Sequence, residues 1–277
     1  MDFLQFFSIV VALLAVLLAS VIVYLELTPS VNEKTNLLMA AAASDENNVE
    51  SFKGKNMSAF IVGYTGETGK VLVRECLQRN IFKKLVLIGR REVKYNEDIY
   101  KDVEQRIVDF ENLGDYSEAF KDIHVGFVTL GTTRGKAGVE GFKRVDYDYV
   151  VKTAELAKQG GCQHFNLLSS QGANKNSFLL YQMVKGEAEE TVSQMMFKRL
   201  TIYRPGLLLC DREEHRTGEK IFNFLLKPVA KCAPTVMTVP TTTVAKAMVN
   251  AVVAESSQPI QILENKDIHQ LAGNAKK

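Results

Sequence analysis

The sequence is poor in the residue types that build metal centres and disulfide frameworks. Cys76, Cys162, Cys210 and Cys232 are far apart, with no Cys-x-x-Cys pair and no histidine at metal-ligand spacing. His124, His164, His215 and His269 are equally scattered and form no constellation. This argues against a bound metal and against a stapled secreted fold, and it suits reduced, mostly buried thiols in a reducing compartment. An excess of one charge is also missing. The net charge of +2 names no nucleic-acid or acidic partner. No internal repeat is visible. At 277 residues, with 46% hydrophobic and 24% charged content, the chain has the size and composition of one α/β domain plus an extension.

The extension begins with a long apolar run. Phe3 to Leu25, 23 residues counted inclusively, is apolar apart from Gln5, Ser8 and Ser20. That length can span a hydrocarbon core of about 30 Å. It lacks the basic n-region and short apolar core of a secretory signal peptide. It therefore reads as a transmembrane signal anchor over residues 1–27. No lysine or arginine precedes Lys34, whereas Lys34, Lys53 and Lys55 follow, which places the C-terminal side in the cytosol. Residues 28–55 read as a tether. Pro29 stops the anchor helix, the alanine-rich stretch around 37–43 suits a short helix, and the polar run 44–48 reads as mobile. Asn56-Met57-Ser58 matches a glycosylation sequon but abuts the first strand, so the match reads as chance.

The rest of the chain is organised around Ser58 to Gly69. Phe60-Ile61-Val62 is apolar on both faces, as in a central parallel strand. It runs into Gly63-Tyr64-Thr65-Gly66-Glu67-Thr68-Gly69, after which a helix opens. In such a turn Gly63 allows the tight bend, Gly66 lets the backbone approach a phosphate, and Gly69 lets helix and strand pack closely. Free N–H groups and the positive end of the helix dipole then face an anion. The spacing is GxxGxxG rather than GxGxxG, so the triplet alone also fits a merely structural turn. The strand before it, the helix after it and a second strand at 85–89 favour the dinucleotide reading. At the end of that second strand a carboxylate would select NAD. Arg90 and Arg91 stand there instead, with Glu92 one step later. An arginine accommodates a 2′-phosphate, so the expected cofactor is NADPH; two solvated surface arginines are the plainer alternative.

From Met57 onward strands and helices alternate, which predicts a Rossmann-type doubly wound parallel sheet over residues 56–277. Strands are expected at 58–63, 85–89, 106–109, 125–130, 163–169 and 200–204, and helices at 66–78, 115–121, 139–159 and 178–196. A small C-terminal α/β substrate-side portion is expected over 205–277, with helices near 217–227, 242–254 and 265–272 and a strand at 260–263. The third strand ends in Asp109, whose carboxylate can accept from an adenine amino group or cap the following turn. Leu130 and Gly131 end the fourth strand, where a ligand crosses the carboxyl edge of the sheet. The fifth strand ends in Ser169-Ser170. The next helix carries Tyr181 and Lys185, four apart and therefore on one face. A phenol with a pKa near 10 is a poor acid at neutral pH, and an adjacent ammonium brings it toward working range. Ser170, with Ser169 as the alternative, can orient a substrate oxygen. The apolar run 221–226, flanked by Lys220 and Lys227, suits either a hydrophobic pocket or an ordinary core helix.

Taken together these motifs resemble the atypical branch of the short-chain dehydrogenase/reductases. GYTGETG, LIGRR, VDFENL, LGTTRGKAG, HFNLLSS, YQMVKGE and YRPGLLLCDRE are similar to the group holding the animal Tat-interactive oxidoreductases, also described as metastasis suppressors, and their fungal mitochondrial relatives. The resemblance runs from about Lys55 to the C-terminus. It implies that Thr65, Gly66, Glu67 and Thr68 contact the pyrophosphate. It also implies that Arg90 and Arg91 hold the 2′-phosphate, and that Leu130 and Gly131 line the nicotinamide side. Tyr181 and Lys185 would work at the reactive end, and Leu208 and Arg216 would close over the cofactor. Tyr64 departs from the pattern, which has a small residue there, so its ring must point away from the pyrophosphate.

Two functions follow as expectations. One is a membrane-anchored NADPH-dependent oxidoreductase of a carbonyl-type small molecule, monomeric or weakly dimeric. The other is an NADPH-binding redox sensor with negligible turnover, acting in nuclear transport, transcription or apoptosis regulation. By resemblance its partners would include nuclear-import factors. The expected location is the cytosolic face of the endoplasmic reticulum, nuclear envelope or mitochondrial outer membrane, or the cytoplasm if the anchor is absent.

Overall fold

The computed structural model describes residues 39–41, 46–209, 237–254, 256 and 258–273. A seven-stranded parallel sheet forms the centre, in the order β3-β2-β1-β4-β5-β6-β9. The strands are β1 (Ser58–Val62), β2 (Lys84–Gly89), β3 (Glu104–Ile107), β4 (Val125–Val128), β5 (His164–Leu168), β6 (Arg199–Arg204) and β9 (Ile260–Glu264). The reversal of strand order between β1 and β4 is the switch point of a Rossmann-type fold, where the carboxyl ends of the strands open a crevice. β1 is central because its side chains are apolar on both faces: Ala59 and Ile61 enter one core, Phe60 and Val62 the other.

Helices cover both faces. α1 (Glu46–Gly54), α2 (Glu67–Arg79), α6 (Thr241–Val253) and α7 (Asn265–Leu271) build one layer. α4 (Tyr149–Gln159) and α5 (Leu180–Gln194) build the other, with a 3₁₀ segment at Leu113–Phe120. The helix expected over 139–159 is divided into α3 (Arg134–Lys143), a π turn at Arg144–Asp148 and α4. The extra residue of a π turn re-aims side chains, and such turns concentrate at functional sites. The C-terminal portion is built into the main sheet. β9 pairs in parallel with β6, and α6 packs on α2. A short parallel ribbon of β7 (Leu207–Leu209) and β8 (Thr238–Pro240) lies beside it.

Two expectations are corrected here. Among the described residues no helix is long and apolar enough to cross a membrane. The fold assignment is therefore the Rossmann-type α/β sheet alone, and the N-terminal transmembrane helix drops out of it; the stretch 1–27 lies outside the described residues. Leu208 is described, whereas Arg216, the helix near 217–227, Cys210 and Cys232 also lie outside them. The second correction concerns the polar run 44–48, read as mobile. From Glu46 it is helical, and α1 inserts Phe52, buried, edge-on against Phe82 of the core.

That burial gives a test. Phe52→Ala leaves a cavity under α1 and should cost about 3 kcal/mol of unfolding free energy. Chemical denaturation checks it; a loose tether would give no loss.

Candidate functional site

The site forms along the carboxyl edge of the sheet. Its first part is the turn between β1 and α2. Gly63 has φ +88°, and a Cβ there would lie 2.7 Å from the Thr129 carbonyl carbon. A Cβ on Gly69 would stand 2.2 Å from the Gly63 carbonyl oxygen, so α2 lies directly on the turn. Gly66 is different. It is exposed, and its Cβ would meet only the Gly63 oxygen, at 3.3 Å. The three glycines thus have separate duties: bend, open approach and helix packing. The Gly66 N–H closes the turn on the Gly63 oxygen at 2.9 Å, and no side chain caps α2. The N–H groups of its first turn are left for a ligand. Thr65 and Glu67 are half-buried beside this opening and Thr68 is buried. The Glu67 carboxylate is turned toward Lys70, 3.6 Å away.

The second part is the end of β2. Arg90 and Arg91 are both exposed, and among the described residues neither is in an ion pair. Tyr64 is buried, and its ring leaves the glycine turn toward Gly89 at the end of β2. Its hydroxyl donates to the Arg91 carbonyl oxygen at 2.5 Å. Asp109, exposed at the end of the β3 loop, accepts from the Glu111 N–H at 3.0 Å and from the Asn112 side-chain amide at 2.9 Å. The local turn is thus a function of Asp109 that the hydrogen bonds display.

The third part lies past the ends of β4 and β5. Leu130 is half-buried and Gly131 exposed past β4; a Cβ on Gly131 would lie 3.6 Å from Asp146 Oδ1. Tyr181 is 48% exposed in the first turn of α5 and stacks on the buried Phe142 ring at 5.6 Å. Lys185, one turn on, is buried, and its Nζ is 2.9 Å from Asp146 Oδ1. The other Asp146 oxygen accepts from the Thr132 N–H at 2.9 Å. Burial works against the Lys185 ammonium, but the charge and hydrogen bond of Asp146 outweigh it, with smaller help from Tyr181 and Glu189. The net result is a raised pKa and a lysine held charged.

The two serines at the tip of β5 divide. Ser169 donates to Glu189, which also receives the Arg204 guanidinium. Ser170 Oγ is buried and has no hydrogen-bond partner among the described residues. A buried hydroxyl without a partner is a group waiting for a ligand atom or a water. Leu208, in β7, packs against the core beside α6.

Sequence reasoning missed Asp146 and Glu189. Asp146 follows a run of charged residues and reads as solvated; only the π turn brings it inward. Glu189 carried a usable signal, since positions 181, 185 and 189 form one stripe on a helix.

A Rossmann sheet with a glycine turn that no side chain caps, two exposed arginines at the next strand end and a Tyr/Lys helix defines a nicotinamide-dinucleotide-binding protein. A family model described as NAD(P)H-binding matches residues 63–255, and the chain belongs to that family. It is 51% identical over 222 residues to Protein HTATIP2 of Rattus norvegicus, covering 80% of this chain and 92% of that protein. It is 36% identical over 159 residues to "Protein FMP52, mitochondrial" of Debaryomyces hansenii, covering 57% of this chain and 70% of that protein. The resemblance to the animal group and its fungal mitochondrial relatives is therefore shown. Among solved structures, MoeE5 in complex with UDP-glucuronic acid and NAD superposes with TM-score 0.58 at 13% identity, over 75% of each chain. UDP-glucuronic acid 4-epimerase from Bacillus cereus gives 0.58 at 14%, over 75% of this chain and 76% of that one. At such identities these two establish the fold alone.

The ion pair yields a prediction. A raised Lys185 pKa adds stability that is fully present below the unfolded value of about 10.4 and is lost as pH rises through the folded value. In Asp146→Asn the ammonium is buried without its counter-charge, and its pKa should drop below the unfolded value. The variant should lose about 3 kcal/mol at neutral pH. The gap to wild type should narrow through the alkaline range as Lys185 sheds its proton in the variant. Denaturation curves from pH 7 to 11 measure this; a constant gap refutes it.

Proposed function

We propose that the chain is an NADPH-dependent reductase of a carbonyl-type small molecule. The observation that carries this reading is the buried Ser170 hydroxyl at the tip of β5, without a hydrogen-bond partner among the described residues, in a fold whose next helix presents Tyr181 and an ion-paired Lys185. The residues present fit the cofactor. Gly66 is exposed where a pyrophosphate would touch backbone, and among the described residues the exposed Arg90 and Arg91 are in no ion pair. The arginines favour the 2′-phosphate of NADPH over the bare ribose of NADH, because a guanidinium makes charge-assisted bonds to phosphate.

Bound NADPH would supply a hydride to the carbonyl carbon. The chain's residues manage the oxygen. Ser170 Oγ donates to the carbonyl oxygen and fixes the substrate. As the C=O π bond breaks and charge builds on oxygen, Tyr181 Oη gives up its proton to form the alcohol. The Lys185 ammonium stabilises the phenolate left behind, and Asp146 keeps that lysine charged and oriented. Thr132 fixes Asp146 through its backbone N–H. The buried Cys76 and Cys162 are free thiols and suit a reducing compartment.

Two variants test the reading. Arg90→Glu should weaken NADPH binding about tenfold or more, with NADH unchanged or improved. Titration of both nucleotides decides it, and a parallel change of the two rejects NADPH selection. Tyr181→Phe should lower NADPH oxidation across a carbonyl panel by about 10²–10⁴-fold while NADPH binding persists. No turnover in the wild type, with nucleotide-dependent partner binding that survives the substitution, would favour the redox-sensor reading instead.

A further inference from the structure

The tyrosine inside the glycine turn is the residue that neither fold nor mechanism requires. Gly63 and Gly66 flank an open backbone, yet between them Tyr64 is 2% exposed. Its ring runs from the pyrophosphate turn to the end of β2 and lies against Gly89, where a Cβ would come within 2.6 Å of Tyr64 Cε1. The glycine of Gly89-Arg90-Arg91 is thus explained by the ring packed on it.

The ring ends in a clamp. Tyr64 Oη donates to the Arg91 carbonyl oxygen at 2.5 Å and stands 3.5 Å from Gln105 Oε1 on β3. Gln105 grips the same loop two residues on. Val93 N–H donates to Gln105 Oε1 at 2.9 Å, and Gln105 Nε2 donates to the Val93 carbonyl at 2.8 Å. Before the arginines, the Gly89 carbonyl accepts from Val108 N–H at 3.0 Å. The backbone carrying Arg90 and Arg91 is therefore held at Gly89, at Arg91 and at Val93, while both guanidinium groups stay exposed. Burial raises the Tyr64 pKa, with Glu92 adding and Arg91 opposing, so the phenol remains a donor at neutral pH.

We propose that Tyr64, working with Gln105, is the positioning residue that sets the cofactor preference of this chain. It holds the Arg90–Arg91 backbone where the two side chains converge on a 2′-phosphate. The inference rests on the NADPH reading above. Preorganisation is the physical reason. Exposed arginines on a free loop lose rotamer and backbone freedom when they close on phosphate, and a pinned backbone removes part of that cost. The same residue joins two subsites, since its backbone belongs to the pyrophosphate turn and its hydroxyl to the 2′-phosphate loop.

The test compares NADPH and NADH dissociation constants in wild type, Tyr64→Phe, Gln105→Met, Arg91→Ala and the Tyr64→Phe/Arg91→Ala double variant. Apo melting temperature is recorded for each. Tyr64→Phe keeps the ring on Gly89 and removes one hydrogen bond. It and Gln105→Met should each weaken NADPH about two- to tenfold, with NADH within about twofold. In the Arg91→Ala background the tyrosine change should cost less than it does in wild type, because part of its effect runs through Arg91. A parallel loss of both nucleotides, or full additivity with Arg91→Ala, makes Tyr64 a structural residue only and overturns the proposal. A wild type without NADPH preference overturns this inference and the NADPH reading together. A wild-type preference that Arg90→Glu abolishes and Tyr64→Phe leaves intact overturns this inference alone.

Discussion

The turn between β1 and α2 has no room for side chains at two of its three glycines, and that constraint sets the geometry of the site. With the Gly63 oxygen 2.2 Å from where a Gly69 Cβ would be, α2 can start only directly above the end of β1. Its first N–H groups are therefore aimed across the carboxyl edge of the sheet, uncapped, at the point where strand order reverses. Close packing by glycine is what lets a backbone surface, rather than a side chain, meet an anionic ligand. Tyr64 then has one direction left to go, under β2, where it meets the arginine loop.

The region past the ends of β4 and β5 is organised by a second constraint, charge burial. Lys185 is buried on a helix packed against the sheet, and a lone ammonium there would lose its proton. Asp146 prevents this and is itself fixed by the Thr132 N–H. Glu189, one turn further along α5, takes up Ser169 and Arg204 in the same way. Acidic partners from two different elements thus satisfy the cation and one serine. They leave Tyr181 partly exposed and, among the described residues, the buried Ser170 hydroxyl without a hydrogen-bond partner.

The pattern also accounts for where side chains are generous and where they are not. Ion pairs at the surface, such as Arg74 with Glu97, are exposed on both sides and contribute little. The least exposed pairs, Lys185 with Asp146 and Arg204 with Glu189, both draw one partner from α5, and Arg204 ends β6. The sheet also carries buried polar side chains, among them His164 beside Thr201, and Asn166, which accepts from the Tyr203 hydroxyl and donates to the Gly126 carbonyl, so each has a hydrogen-bond partner.

The sequence by itself determined the sheet, the glycine turn, the arginine strand end and the Tyr/Lys stripe, because each is written in a local period or a short spacing. Phe60-Ile61-Val62 reads as a central strand without knowing its neighbours, and positions four apart on a helix share a face wherever that helix lies. Tertiary structure alone decided the rest. Ser169 and Ser170 are equivalent as letters, and only the position of Glu189 and Arg204 occupies one and spares the other. Asp146 reads as a solvated charge until a π turn directs it onto Lys185. Phe52 reads as part of a tether until Phe82 covers it. Tyr64 reads as an obstacle in a glycine turn, and its ring has a place only because β2 ends in Gly89 and β3 brings Gln105 alongside. In each case the deciding partner is distant in sequence, so no local spacing can encode the contact.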